Sequence, residues 1–111
     1  MTSVRAEKSF TRVLNALTEL EALSSNESFV GTGAWVARLQ RRLDRYLWMT
    51  SHLTSRQPEL TAELMHALHL RVREAVASGD RTSVFTAAGD LREEIAAHFR
   101  SLHRAAHAPA P

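Results

Sequence analysis

Cysteine is absent from this 111-residue sequence, and proline, glycine and aromatic residues are few. Without cysteine there can be no disulfide scaffold, no thiolate zinc site and no cysteine nucleophile, and its absence suits a reducing cytoplasm. No positively charged leader precedes a long apolar run, and no apolar stretch is long enough to span a bilayer. We therefore expect a soluble, cytoplasmic protein that folds without covalent cross-links or a membrane.

A strong charge of either sign is also missing. The formal net charge is +2, because 14 lysines and arginines nearly balance 12 acidic residues, and this small excess is weak evidence for a nucleic-acid partner. Hydrophobic residues at 44% and charged residues at 23% are typical of globular rather than disordered chains. The length fits one domain with one core.

Apolar residues recur every three or four positions in four segments, which predicts four amphipathic helices. The first covers residues 4–23 and ends at a Ser-Ser-Asn cluster. The second is predicted to begin at Asn26, an N-cap residue, and to continue for about seven or eight turns to Gln57 as the longest helix. Gly31 and Gly33 predict either fraying of its first turns or close approach of a neighbouring backbone.

The third and fourth helices have clear end signals. Pro58 suits a first helical turn, Gly79 suits a left-handed cap at the end of the third helix, and Asp80 can cap the fourth. Residues 105–111 contain two prolines and little to bury, so we expect a disordered tail after a helical domain of residues 1–104. No segment alternates with period two, and we predict an all-α, antiparallel bundle of about four helices.

Six histidines are many for this length, and imidazoles can act as metal ligands or proton switches. His66 and His69 are three residues apart and can share a helix face, either as metal ligands or as two histidines without a ligand. His69 falls on the apolar stripe and is predicted to point inward, which makes it the better candidate. His98 lies beside the core residue Phe99, and the sequence supplies it with no partner.

A row of arginines at spacings of three and four lies along the second helix: Arg38, Arg41, Arg42 and Arg45. Guanidinium forks match the oxygens of carboxylates and phosphates, so the row could grip an anion. The alternative is a solvated face paired with nearby acids such as Asp44. The nearby aromatic residues are interpreted as packing residues or as part of a dimer seam: Trp35, Tyr46 and Trp48.

Motifs for catalysis are missing as well. Gly31 and Gly33 are followed neither by a third glycine nor by a phosphate-loop lysine, and no nucleophile is paired with a base. We therefore predict that the chain is not an enzyme. A helical mutase resembling chorismate mutase, which clamps a dicarboxylate between arginines, is kept as a remote alternative.

Several segments resemble the C-terminal FCD sensor domain of GntR-type transcriptional regulators of the FadR subgroup. They lie at residues 9–14, 24–29 and 39–46, and the most specific covers residues 69–80, where a histidine precedes an Ala-x-x-x-Gly-Asp sequence. The resemblance implies helices around a cavity in which a metal, held by an aspartate and histidines, helps bind a small organic acid. His69 is similar to one of those histidines.

The chain departs from the family's pattern at the other metal ligands. Glu7 stands where the resemblance implies an aspartate, and Thr11 stands where it implies a histidine. The last histidine of the pattern would fall near Asp90, and His98 is about two turns further along. Zinc or nickel could bind at His69, but the ligand set is incomplete, and we expect weak binding or none. The family's winged helix is absent, so we expect no DNA binding by this chain alone.

These observations predict a homodimeric, ligand-sensing domain of a regulator that binds a small organic acid through His69, Arg42 and Arg45. The alternative is a helical protein interaction module without a small-molecule function. Pocket shape separates the two: a closed apolar cavity with His69 and an arginine at its wall favours sensing, and a shallow groove favours association.

Overall fold

A computed structural model of the chain describes residues 4–25, 32–51 and 58–107. Within these ranges the chain forms four α-helices and no strand. The helices are α1 (Val4–Ser25), α2 (Thr32–Thr50), α3 (Pro58–Ser78) and α4 (Arg81–His107). The predicted all-α class is confirmed. No helix in the described ranges has the length and apolar character needed to cross a membrane.

The four helices form an antiparallel bundle of about 54 × 24 × 19 Å. Helix α1 packs against α2 and α4, and α3 packs against the same two helices, so α2 and α4 lie on one diagonal of the bundle. Phe10, early in α1, stacks on Phe99, late in α4. Further along α1, Thr18 contacts Arg92, which comes earlier in α4. The two helices therefore run in opposite directions.

One apolar stripe from each helix forms a single core. Because apolar residues recur every three or four positions, each stripe stays on one side of its helix and can be buried completely. The largest fully buried apolar side chains are Val13, Leu17, Leu20, Leu39, Leu43, Tyr46, Met65, Val72, Val84, Leu91 and Ile95. Burial of a side chain of this size stabilises the fold by roughly 1.5–3 kcal/mol. The bundle is thus held together mainly by apolar burial.

The junction between α3 and α4 has the predicted caps. Gly79 has a φ of +73° and donates its backbone N–H to the carbonyl of Val76 at 3.1 Å, which closes α3. Asp80 caps α4, since its carboxylate accepts hydrogen bonds from the backbone N–H of Thr82 at 3.1 Å and from the hydroxyl of Ser83 at 2.7 Å. A connection of two residues makes the helices antiparallel neighbours.

Helix α2 is not the longest helix. It has 19 residues as described and α4 has 27, so the expectation from the sequence is wrong. Two hydroxyl groups bond to the backbone near the end of α2. Thr50 and Ser51 donate to the carbonyls of Tyr46 and Trp48, each at 2.9 Å.

The start predicted for α2 is not among the described residues. The helix is described from Thr32, and the predicted end signals Asn26 and Gln57 lie outside the described residues, as does Gly31. Gly33 is in the first turn, and a Cβ atom there would have no other group within 4 Å. No backbone of the described residues therefore approaches Gly33 closely, which gives no support to the second explanation offered for this glycine.

The predicted tail is partly helical. Helix α4 continues through His107, three residues beyond the predicted domain end at residue 104, and residues 108–111 lie outside the described residues. Ala105 and Ala106 account for the extension, because alanine has the highest intrinsic helix propensity. The disorder predicted for residues 105–111 stays a prediction.

The two glycines Gly79 and Gly89 allow the cap to be tested with a matched pair. At both positions an added Cβ meets nothing within 4 Å, so only the backbone conformation differs. Gly79→Ala should lower the free energy of unfolding by about 1–2 kcal/mol, because an L-residue is strained at positive φ. Gly89→Ala, inside α4, should raise it by about 0.5–1 kcal/mol. Urea unfolding followed by circular dichroism measures both, and equal effects of the two substitutions would contradict the cap assignment.

Candidate functional site

A pocket of about 220 Å³ lies on the surface between α1 and α2. Its lining residues are Ser9, Arg12, Arg41, Arg42 and Arg45. On α2, Leu39 and Leu43 point into the core. The helical period therefore places Arg41, Arg42 and Arg45 on the outer sides of that helix. We call this group of five residues the arginine pocket. It is open to solvent and is separate from the core.

One hydrogen bond joins the two walls of the arginine pocket. Arg42 donates from Nη1 to the backbone carbonyl of Arg12 at 3.1 Å. This bond fixes the Arg42 side chain against α1 and leaves its other guanidinium N–H groups for a ligand, since a guanidinium has five. Arg41 and Arg45 are four residues apart on α2 and therefore lie on the same side of that helix.

The positive charge in the arginine pocket has no carboxylate partner among the residues that the structure describes. Among the described residues, no carboxylate lies within 4 Å of the guanidinium groups that line it. Asp44, which the sequence offered as an arginine partner, instead accepts a hydrogen bond from Nε2 of His66 at 2.8 Å. Arg38, the remaining arginine of the row, lies 4.2 Å from the ring centre of Trp35 and makes a cation–π contact there. The arrangement therefore suits an anion.

His69 is buried, as its position on the apolar stripe predicted, with 5% of its surface exposed. Its Nε2 lies 3.2 Å from the carbonyl oxygen of Val36, and because a carbonyl only accepts, this nitrogen donates. Burial lowers the pKa of His69, partly offset by the bond to Val36 and by the charge of Asp44. His69 is not among the residues that line the arginine pocket. The structure thus brings Arg42 and Arg45 together and leaves His69 apart from them.

The residues suggested as further metal ligands do not converge on His69. Glu7 is exposed on α1, where its carbonyl accepts a hydrogen bond from the hydroxyl of Thr11 at 3.0 Å. Asp90 faces Arg71 at 3.9 Å, and Arg71 comes two residues after His69, on a different side of α3. Across the part of the chain that the structure describes, no three histidine, aspartate or glutamate side chains form a group that could hold a metal. These residues do not fit the zinc or nickel site that the resemblance implies.

Sequence reasoning missed the partner of His98. The hydroxyl of Tyr46 lies 2.8 Å from Nδ1 of His98, and the two rings meet edge to face at 5.6 Å between centres. Burial raises the pKa of Tyr46 far above its usual range and lowers the pKa of His98, so both groups are neutral at pH 7. The protonated phenol is therefore the hydrogen-bond donor, and Nδ1 of His98 is its acceptor among the described residues. This bond joins α2 to α4 across the diagonal of the bundle.

Only a weak signal for this pair exists in the sequence. Tyr46 lies on the apolar stripe of α2, where its hydroxyl needs a buried partner, and His98 precedes the core residue Phe99. The two residues are 52 positions apart, and only the packing of the helices reveals that they meet.

Comparison of the chain with models of protein families, with curated proteins and with solved structures finds no match. The resemblance to the FCD domain stays a prediction. The case for a function therefore depends on the geometry of the described residues.

The buried His69 and the half-buried His98 predict a pH dependence of stability. The pKa values of His69 and His98 are lower in the folded chain than in the unfolded chain, so the unfolded chain takes up protons first as the pH falls. The stability that the neutral histidine rings contribute is fully present above about pH 6.5, which is the ordinary histidine pKa. This contribution is lost as the pH falls from there through the lower pKa values of the folded chain. The free energy of unfolding should therefore be lower at pH 5 than at pH 7.5, as measured with urea.

Two variants separate the contribution of His98 from that of its hydrogen bond to Tyr46. His98→Gln should make the pH dependence less steep, because one of the two titrating groups is gone. Tyr46→Phe keeps both histidines and should lower stability at pH 7.5 by about 0.5–1.5 kcal/mol through loss of one hydrogen bond, while the pH dependence remains. A wild-type stability that does not change between pH 7.5 and pH 5 would show that the buried histidines are protonated as easily as in the unfolded chain.

Proposed function

We propose that this chain is the ligand-binding and dimerising domain of a transcriptional regulator of the GntR type, and that its ligand is a small organic acid held in the arginine pocket. The observation that carries the proposal is the convergence of arginines from α1 and α2 on one pocket with no carboxylate partner among the described residues. A carboxylate can accept paired hydrogen bonds from a guanidinium fork, which gives both affinity and orientation.

The proposed binding site differs from the one that the resemblance implies. In that family a closed cavity and a metal hold the acid, whereas here the pocket is on the surface and His69 is hydrogen-bonded to Val36 in the core. The ligand would therefore bind without a metal, and its carboxylate would contact Arg41 and Arg45 directly. The role proposed is binding rather than turnover, and DNA recognition is assigned to another part of the regulator.

Acid binding is tested by titration of the chain with acetate, lactate and succinate. We expect at least one of these acids to bind with a stoichiometry of one per chain, and Arg45→Gln to weaken its binding about tenfold or more, because a hydrogen bond to a charged group contributes about 1.5–3 kcal/mol. Calorimetry at constant ionic strength is the measurement.

Two control variants test whether acid binding depends on the arginine pocket. Arg71→Gln removes the same charge from an arginine on α3 outside the arginine pocket and should leave binding unchanged. His69→Gln should also leave it unchanged, after circular dichroism has shown that the variant is folded. Binding that depends on His69 and not on Arg45 would contradict the assignment of the site and favour a cavity in the core.

A second candidate function is a helical interaction module, and two observations favour it. The arginine pocket is open and does not include His69, unlike the closed cavity expected for sensing, and Trp48 is exposed. Trp48 on α2 has 77% of its surface exposed, more than the other large hydrophobic side chains that stand out on the described surface, such as Phe85 at 41%. Trp35, the other tryptophan, is half-buried and packs against the core beneath Arg38. An exposed tryptophan is a common anchor of protein interfaces. Both candidates share the homodimer that we propose, with Trp48 at its seam.

The dimer is tested by light scattering of the eluting protein over a range of concentrations. We expect a mass of two chains at micromolar concentration for the wild type. Trp48→Gln should raise the dimer dissociation constant at least about tenfold, because burial of such an anchor contributes about 2 kcal/mol or more. Phe85→Gln, an exposed aromatic residue on α4, is the control and should leave the mass unchanged. A wild-type mass of one chain at every concentration would overturn the homodimer.

A further inference from the structure

Ser9 is a largely buried residue of α1 whose hydroxyl has no hydrogen-bond partner in the described part of the chain. It is 5% exposed and lines the arginine pocket, yet its hydroxyl makes no hydrogen bond with any of the described residues. Other hydroxyls of α1 behave differently: Thr11 donates to the carbonyl of Glu7 and Thr18 donates to the carbonyl of Leu14, each at 3.0 Å. Because Ser9 lines the pocket and its hydroxyl is not used within α1, this hydroxyl is in position to donate to a ligand there.

The charge of the arginine pocket indicates how many negative charges its ligand carries. Four guanidinium groups line it, and like charges four residues apart on a helix, such as Arg41 and Arg45, destabilise each other. A ligand with one negative charge would leave most of this repulsion in place. A ligand with two negative charges compensates half of the positive charge and offers acceptors to guanidinium forks on both helices.

The size of the arginine pocket suits a small ligand group. Its volume of about 220 Å³ is below the range of roughly 300–1,000 Å³ that is typical of pockets for drug-sized molecules. Donors stand on both walls: Ser9 and Arg12 on α1, and the three remaining arginines on α2. Because Arg42 is already fixed to the carbonyl of Arg12, part of the site is organised before the ligand binds.

From these observations we infer that the arginine pocket is a site for a small dianion, a short dicarboxylate or a phosphate group, in which the Ser9 hydroxyl and the arginines of both helices donate to its oxygens. The inference rests on the proposed function and adds the class of ligand. The two sources share one chemistry, which is a compact group with two negative charges and several acceptor oxygens.

The test compares acetate, succinate and inorganic phosphate by calorimetry on the full chain, at pH 7.5 and at constant ionic strength so that general screening is the same in each titration. A dianion should bind at least about tenfold more tightly than acetate, with one site per chain. Ser9→Ala should weaken dianion binding about tenfold, since it removes a hydrogen bond to a charged group and leaves every arginine in place.

Each outcome has a defined meaning. Tighter binding of succinate than of phosphate supports the inference and identifies a dicarboxylate, and the reverse order supports it and identifies a phosphate group. Acetate binding as tight as that of both dianions would overturn the dianion inference and leave the proposed acid site intact. An unchanged dianion affinity in Ser9→Ala, with an unfolding midpoint like that of the wild type, would overturn the role of Ser9. The failure of acetate, lactate, succinate and phosphate alike to saturate a site would overturn the proposed function as well.

Discussion

The burial of one apolar stripe from each helix is the constraint on which the rest of this structure depends. In α2 the stripe includes Leu39, Leu43 and Tyr46, and their burial leaves the intervening arginines no inward position. The arginines then face outward, and the packing of α2 against α1 turns Arg42 toward the carbonyl of Arg12. The arginine pocket is therefore a consequence of core packing, because the same helical period that forms the core also places the cations beside α1.

Two hydrogen bonds between different helices favour one arrangement of the bundle. His69 bonds to the Val36 carbonyl between α3 and α2, and Tyr46 bonds to His98 between α2 and α4. Each bond satisfies a polar atom that would otherwise be costly to bury, so each favours the one helix arrangement in which its partner is present. Both histidines are neutral because burial lowers their pKa values. These histidines contribute to the stability of the bundle, and the candidate ligand-binding groups are the guanidinium groups of the arginine pocket.

Features encoded by neighbouring residues could be predicted from the sequence, and features created by packing could not. The start of α3 at Pro58 and the caps at Gly79 and Asp80 depend on local backbone chemistry and were predicted correctly. The inward direction of His69 followed from helical periodicity. The partners of Asp44 and His98 lie on other helices, and the missing hydrogen bond of Ser9 becomes visible only when its surroundings are known. The sequence indicated Arg42 and Arg45 as ligand-binding residues, but it also grouped them with His69, which the bundle places elsewhere.

If a small acid binds between α1 and α2 at the arginine pocket, nuclear magnetic resonance can locate that binding directly. The measurement is a titration of the ¹⁵N-labelled chain with succinate, followed at the backbone amides and at the arginine Nε–H groups. We expect saturable shifts concentrated at residues 9–12 and 41–45, with the largest side-chain changes at Arg41 and Arg45. Shifts centred on His69 and Val36, or shifts that spread evenly over the surface and never saturate, would contradict binding at the arginine pocket.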